Sequence, residues 1–267
     1  QARASLMQIS ANLGLLYTEL PLPARIHAAA RDGFDAVECH FPYAHDPAEI
    51  RGALEATGLP MLALNTRPGD LEQGEFGLAA LPGRSGEARD AVAQAVSYGA
   101  AIGAGAVHVM AGRSHAAAGS EEALRDTLAH ACDLAARHGM TILIEPINTR
   151  DVPGYHLTSL ERAAATVAAI GRDNLKIMFD CYHLQILQGD LTRRFADHLP
   201  LIGHVQIAAV PDRGEPDGGE LCYARLLRAF REAGYKGAVG AEYRPRGGDT
   251  RAGLGWLAPL RAALDAP

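Results

Sequence analysis

Four short apolar runs in the second half of the chain each finish on or near a side chain that carries oxygen. They read TILIE, LKIMFD, HVQI and AVGAE, and the residues concerned are Glu145, Asp180, Gln206 and Glu242. Carboxylates brought together repel and resist ionisation unless a positive charge stands between them. A divalent cation is the simplest compensator. Two or three carboxylates with one amide oxygen make a hard, all-oxygen donor set suited to Mg²⁺ or Mn²⁺. Glu38, His40, Asn65 and His108 stand at or near the ends of other apolar runs. His183 follows Asp180 by three residues and Arg213 follows Gln206 by seven; an arginine so placed can hold an anionic substrate. One acid at a strand end more often caps a helix or meets an arginine, but four oxygen-bearing ends in succession point to a shared site.

The elements that must position these residues follow from the apolar patterning. Short Val/Ile/Leu-rich runs at 7–12, 36–39, 60–65, 106–110, 141–145, 175–180, 202–207 and 238–242 predict strands buried on both faces. Segments of helical period at about 22–32, 47–57, 87–102, 120–138, 158–170, 183–197, 223–233 and 251–264 lie between them. Asp46-Pro47 and Ser120-Glu121-Glu122 are helix starts, and Gly33, Gly58, Gly139, Gly171 and Gly234 stand where C-terminal caps belong. Eight β-α units in a row with no linker predict an α/β fold, a (β/α)8 TIM barrel in one domain over 1–267. Residues 1–5 are expected to be disordered or foreign to the fold. Two long loops, 66–86 and 208–222, follow strand C-termini, the face on which barrel active sites are built.

Composition narrows the function classes. Hydrophobic residues at 48% and charged residues at 21% exclude a disordered chain. A net charge of −6 argues against a nucleic-acid partner, and no apolar run is long enough to span a membrane. Cys39, Cys132, Cys181 and Cys222 have no C-x-x-C spacing and are expected to be reduced thiols in a cytoplasmic protein. Lys176 and Lys236 are the only lysines, both near strand beginnings, which disfavours Schiff-base chemistry. Gly103-Ala104-Gly105 precedes a strand rather than following one, so it is not a dinucleotide loop.

Several segments together carry a resemblance. Glu145-Pro146-Ile147-Asn148-Thr149-Arg150-Asp151, Phe179-Asp180-Cys181-Tyr182-His183, His204-Val205-Gln206-Ile207 and Glu242-Tyr243-Arg244-Pro245 resemble the motifs of the hydroxypyruvate isomerase family, of the xylose-isomerase-like barrels. Leu81-Pro82-Gly83-Arg84 and His108-Val109-Met110-Ala111-Gly112 match as well, so the resemblance runs from Asn12 to Trp256. It implies that Glu145 and Glu242 are metal ligands and the catalytic acid/base pair, with Asp180 and Gln206 completing the metal site. Related keto-sugar epimerases imply that His183 and Arg213 hold substrate oxygens. Those epimerases carry His at Gln206 and Glu at Asp151, which favours the hydroxypyruvate isomerase branch. The chain departs from the family at Ala209 and Gly214, where Asp and His are usual, and specificity is expected to differ if those positions touch substrate.

The implied reaction interconverts hydroxypyruvate and tartronate semialdehyde through an enediolate, a step of carbohydrate metabolism. A divalent cation, Mg²⁺ or Mn²⁺, stabilises the charge while two carboxylates move the proton. The substrate carboxylate falls first to Arg213, with Arg84 and Arg150 in reserve. The alternatives are a 2-oxo-tetronate isomerase, a keto-sugar 3-epimerase or an inosose-type dehydratase on the same scaffold, and a non-catalytic sugar-acid binding protein. The zinc endonucleases of this fold need several histidine ligands and a basic face, which the acidic chain lacks. The expected partner is a small hydroxy- or oxo-acid or ketose; assembly into a homo-oligomer is left open.

Overall fold

A computed structural model describes residues 7–265; the expectation for residues 1–5 falls outside them. The strands are β1 (Ile9–Asn12), β2 (Ala36–Glu38), β3 (Ala63–Asn65), β4 (Ala106–His108), β5 (Thr141–Ile144), β6 (Leu175–Asp180), β7 (Ile202–Ile207) and β8 (Val239–Ala241). They pair in parallel in the order β2-β1-β8-β7-β6-β5-β4-β3. The two ends of that order meet through a bridge between Val37 and Met61 and backbone bonds such as Cys39 N to Ala63 O (3.1 Å) and Asn65 N to His40 O (2.9 Å). The result is one eight-stranded TIM barrel.

Parallel neighbours need a crossover, and helices supply it. They are α1 (Leu22–Arg31), α2 (Pro47–Thr57), α3 (Ser85–Ile102), α4 (Ser120–Ala136), α5 (Leu160–Ile170), α6 (Cys181–Leu187), α7 (Leu191–His198), α8 (Tyr223–Glu232) and α9 (Leu257–Asp265). Local chemistry fixes their ends. Asp46 accepts a hydrogen bond from Ala48 N at 2.8 Å with Pro47 in the first turn, and Ser159 Oγ accepts one from Arg162 N at 3.1 Å. Gly103, in the segment set aside as a dinucleotide loop, is the left-handed C-cap of α3.

One helix differs from expectation. The segment 183–197 is two helices, because Gly189 and Asp190 both take positive φ (+64° and +50°) and break the ladder. The first piece also begins earlier, at Cys181, because Asp180 Oδ1 accepts a hydrogen bond from Tyr182 N at 2.8 Å and caps it. The last helical segment likewise opens as a 3₁₀ turn, Leu254–Trp256, before α9.

Both long loops are tied down at the barrel mouth. Gly77 bridges to Ala111 in the loop after β4, and a Cβ on Gly77 would lie 2.5 Å from Met110 O, so only glycine permits the approach. The loop 208–222 is clamped by Arg246, whose Nε bonds Asp212 Oδ2 at 2.8 Å and whose backbone N bonds Glu215 Oε1 at 3.1 Å.

Outside the barrel, Phe195 of α7 stacks on Phe230 of α8 (centroids 3.6 Å apart), and Phe179 of β6 meets both edge-on at 5.2 and 5.6 Å. All three rings are fully buried. This cluster fixes β6, and therefore Asp180, against the outer layer. Phe230→Ala is expected to cost about 3–5 kcal/mol of unfolding free energy, measured by urea denaturation. A loss below about 1 kcal/mol would mean that the cluster does not support the barrel.

Candidate active site

The parallel strands end together, so the residues at or just past their C-termini share one mouth. Glu145 directly follows β5, Asp180 ends β6, Gln206 is the penultimate residue of β7, and Glu242 directly follows β8. All four are buried, as are His108 and His183. A cavity of ≈ 210 Å³ is walled on its polar side by His40, His108, Glu145, His183, Arg213 and Glu242, while Asp180 and Gln206 lie behind its lining. Asn65 lines it too, and Phe41, Phe76, Met110, Ile147 and Val152 give it an apolar side.

The tightest group is Glu145, Asp180 and His183, whose ligating atoms all lie within 4.8 Å of one another. Their contacts are too long to be hydrogen bonds: His183 Nε2 is 3.8 Å from Glu145 Oε1 and 3.6 Å from Asp180 Oδ2. Glu145 Oε1, Asp180 Oδ2 and Gln206 Oε1 are each buried without a hydrogen-bond partner among the described residues. Leaving a buried polar atom unpaired is costly. Three such oxygens around one mouth are what a hard cation satisfies.

Electrostatics agree. Burial, reinforced by Asp180 and Glu242, raises the Glu145 carboxyl well above its usual range. Burial also pushes Asp180 up to about 7, against the pull of Arg213. Glu242 goes the other way. Burial alone would raise it, but Arg213 and His40 hold it at about 2. Its Oε1 lies 3.3 Å from Arg213 Nη2 and 2.9 Å from His40 Nε2. Glu242 is therefore supplied with an arginine and a hydrogen-bonding histidine by the protein, while Glu145 makes no ion pair with an arginine.

Arg213 lies in the left-handed region (φ +57°), in a turn closed by its N–H to Ala209 O at 2.9 Å. Its guanidinium sits 5.0 Å from the Tyr182 ring centroid, and Nη2 is 3.8 Å from Asp180 Oδ2. The departures from the family fall outside the cavity. Ala209 is fully buried, and a Cβ on Gly214 would meet Arg246 Nε at 2.6 Å, so the clamp arginine fills that space.

Three features were not legible in sequence. Glu38, expected at the mouth, turns into the barrel interior, bonds Asn12 and Gln206, and does not line the cavity. Arg244 does line it, and its side chain makes no ion pair among the described residues; its place two residues after Glu242 was the available signal. Asn148 donates to His183 Nδ1 from its backbone N (3.2 Å) and from Nδ2 (2.7 Å). A ring nitrogen that accepts N–H groups carries no proton, so His183 presents Nε2–H to the mouth. Together with Glu145 and Asp180 it forms a buried cluster whose donor set could bind a metal ion.

A family model described as xylose isomerase-like TIM barrel matches residues 26–260. The 2-oxo-tetronate isomerase of Cupriavidus necator is 48% identical over 255 residues, covering 94% of this chain and 98% of that protein. The chain belongs to the hydroxypyruvate and 2-oxo-tetronate isomerase family of xylose isomerase-like TIM barrels. The hydroxypyruvate isomerase of Escherichia coli is 39% identical over 259 residues, covering 96% and 100% of the two chains. Among solved structures, one titled AP endonuclease, family 2, from Brucella melitensis superposes with a TM-score of 0.92 at 41% identity, covering 95% of this chain and 99% of that one. As a member of this isomerase family the chain is an enzyme of the intramolecular oxidoreductase class. No helix among its described residues is long and apolar enough to cross a membrane.

The His183 assignment is directly measurable. Burial, helped by Arg213, lowers its pKa to about 3. Nitrogen NMR of labelled histidine is expected to place the proton on Nε2 and to find no second protonation between pH 8 and about pH 5. Protonation of Nδ1 near pH 6.5 would contradict the arrangement.

Proposed function

We propose that the protein interconverts a 3-hydroxy-2-oxo acid and the corresponding 2-hydroxy-3-oxo acid, with hydroxypyruvate and tartronate semialdehyde as the three-carbon pair. The observation that carries this reading is the pair of buried carboxyls that line one cavity, Glu145 after β5 and Glu242 after β8. Two carboxyls facing one substrate can serve as proton acceptor and proton donor. Glu242, held ionised by Arg213 and His40, takes the C3 proton next to the carbonyl. Glu145 returns a proton at C2. A second proton passes between the two substrate oxygens, so the net change is a shift of the carbonyl from C2 to C3. In the reverse direction the two acids exchange roles.

Glu145, Asp180, Gln206 and Glu242 would hold a divalent cation, Mg²⁺ or Mn²⁺; the unpartnered oxygens of the first three are the supporting observation. Such a cation, when bound, would supply the positive charge that stabilises an enediolate. His183 Nε2–H orients an oxygen of the substrate. Arg213 stays bound to Glu242 and Asp180 and reaches substrate from there. Arg244, which has no such commitment among the described residues, adds the charge that the substrate carboxylate needs.

A second reading has one observation in its favour. The 48% identity to a 2-oxo-tetronate isomerase supports the four-carbon homologue, in which C3 carries a hydroxymethyl group as C4. The chemistry at C2 and C3 is the same. Relative kcat/KM for the two acids decides between them.

The test is Glu242→Gln, which keeps shape and removes the base. Turnover is expected to fall by about 10²–10⁴-fold while the thermal unfolding midpoint and the fold are retained. Turnover within about threefold of the parent chain would remove Glu242 from the mechanism.

A further inference from the structure

The barrel interior beneath the mouth holds a carboxylate that the proposed reaction does not use. Glu38 is 1% exposed, and side chains from β1 and β7 converge on it. Its Oε1 accepts Nδ2 of Asn12 at 3.2 Å and Nε2 of Gln206 at 2.8 Å. Its Oε2 accepts Ser10 Oγ at 3.3 Å and lies 2.5 Å from His204 Nε2. β8 makes room for it: Gly240 pairs with Ser10 and Gln206, and a Cβ there would lie 2.4 Å from Glu38 Oε1.

We propose that Glu38 is the positioning residue that makes Gln206 an oxygen ligand. This rests on the cation reading given above. An amide side chain has two ends of nearly equal size, an oxygen that attracts a cation and an NH₂ that repels one. Nothing in Gln206 itself chooses between them. Glu38 does, because a carboxylate oxygen accepts and the NH₂ must turn toward it. The other end, Oε1, is then left without a partner, buried, on the residue paired in register with Asp180. Reversing the amide would set two oxygens against each other at 2.8 Å and put N–H groups where Oε1 now stands unpaired. Outer groups that fix a ligand's orientation commonly govern metal affinity. Glu38 works without touching substrate or cation.

The experiment is a Mn²⁺ titration followed by electron paramagnetic resonance on the parent chain, Glu38→Gln, Gln206→Glu and the double variant. A carboxylate at position 206 presents oxygen whichever way it turns, so it needs no orienting partner. The expected result is that Glu38→Gln weakens Mn²⁺ binding by about 10–100-fold in the parent background and leaves it unchanged or stronger in the Gln206→Glu background, where it also removes a contact between two carboxylates. An equal loss in both backgrounds would mean that Glu38 acts only through general packing, and an unchanged affinity in the parent background would remove its role; either overturns the proposal. If the parent chain itself fails to bind Mn²⁺, the cation reading falls and takes this inference with it. If Glu38→Gln does not fold, the parent chain still decides the matter. The Gln206 side-chain NH₂ is expected to be protected from solvent exchange and to stay so when Mg²⁺ is added. Rapid exchange, or loss of protection on adding Mg²⁺, would overturn the proposal.

Discussion

Burying several carboxylates in one mouth is the constraint on which the rest of this structure depends. Parallel strands end in phase, so the acids that finish or follow β5, β6 and β8 have no choice but to converge. Each loses its water there, and each raises the cost of ionising the others. The protein answers this unevenly. Arg213 and His40 attend to Glu242, while Glu145 makes no ion pair with an arginine and Asp180 has only the same Arg213 nitrogen at a longer 3.8 Å. That asymmetry separates the two glutamates chemically, and it leaves a demand for positive charge beside Glu145 and Asp180.

Much of the surrounding architecture can be understood as holding this arrangement still. The Phe179–Phe195–Phe230 cluster braces the strand that ends in Asp180. Arg246 pins the loop that carries Arg213, and the turn that gives Arg213 its positive φ is closed by Ala209. Asn148 sets the tautomer of His183, and Glu38 sets the orientation of Gln206. In each case a polar group with two available states is committed to one of them by a neighbour outside the cavity. Functional groups held this way need no rearrangement when a substrate arrives.

Strand number, strand order of appearance and the four strand-end oxygens were legible in the sequence, because continuous apolar runs and a period of eight β-α units leave few other folds. The break between α6 and α7 was not, since Gly189-Asp190 adopts positive φ inside a segment whose apolar period continues past it. The inward turn of Glu38 was also hidden. It depends on the bare backbone of Gly240 two hundred residues away, and no local pattern reports a cavity on a neighbouring strand. Arg244 was visible only as part of a motif, because whether an arginine is free or committed depends on partners that the linear pattern does not display. The unusual Ala209 and Gly214 looked like specificity changes, yet the structure assigns their space to turn closure and to Arg246.

The central claim is that these buried acids move a proton between adjacent carbons of a short oxo acid with the help of a divalent cation. Its most direct test is a proton NMR time course of hydroxypyruvate in D₂O with the purified protein and Mg²⁺, beside a sample treated with EDTA. The account predicts tartronate semialdehyde, deuterium entering the carbon that receives the proton, and arrest by EDTA. A metal-supplied protein that converts neither hydroxypyruvate nor 2-oxo-tetronate and exchanges no carbon-bound proton would contradict it.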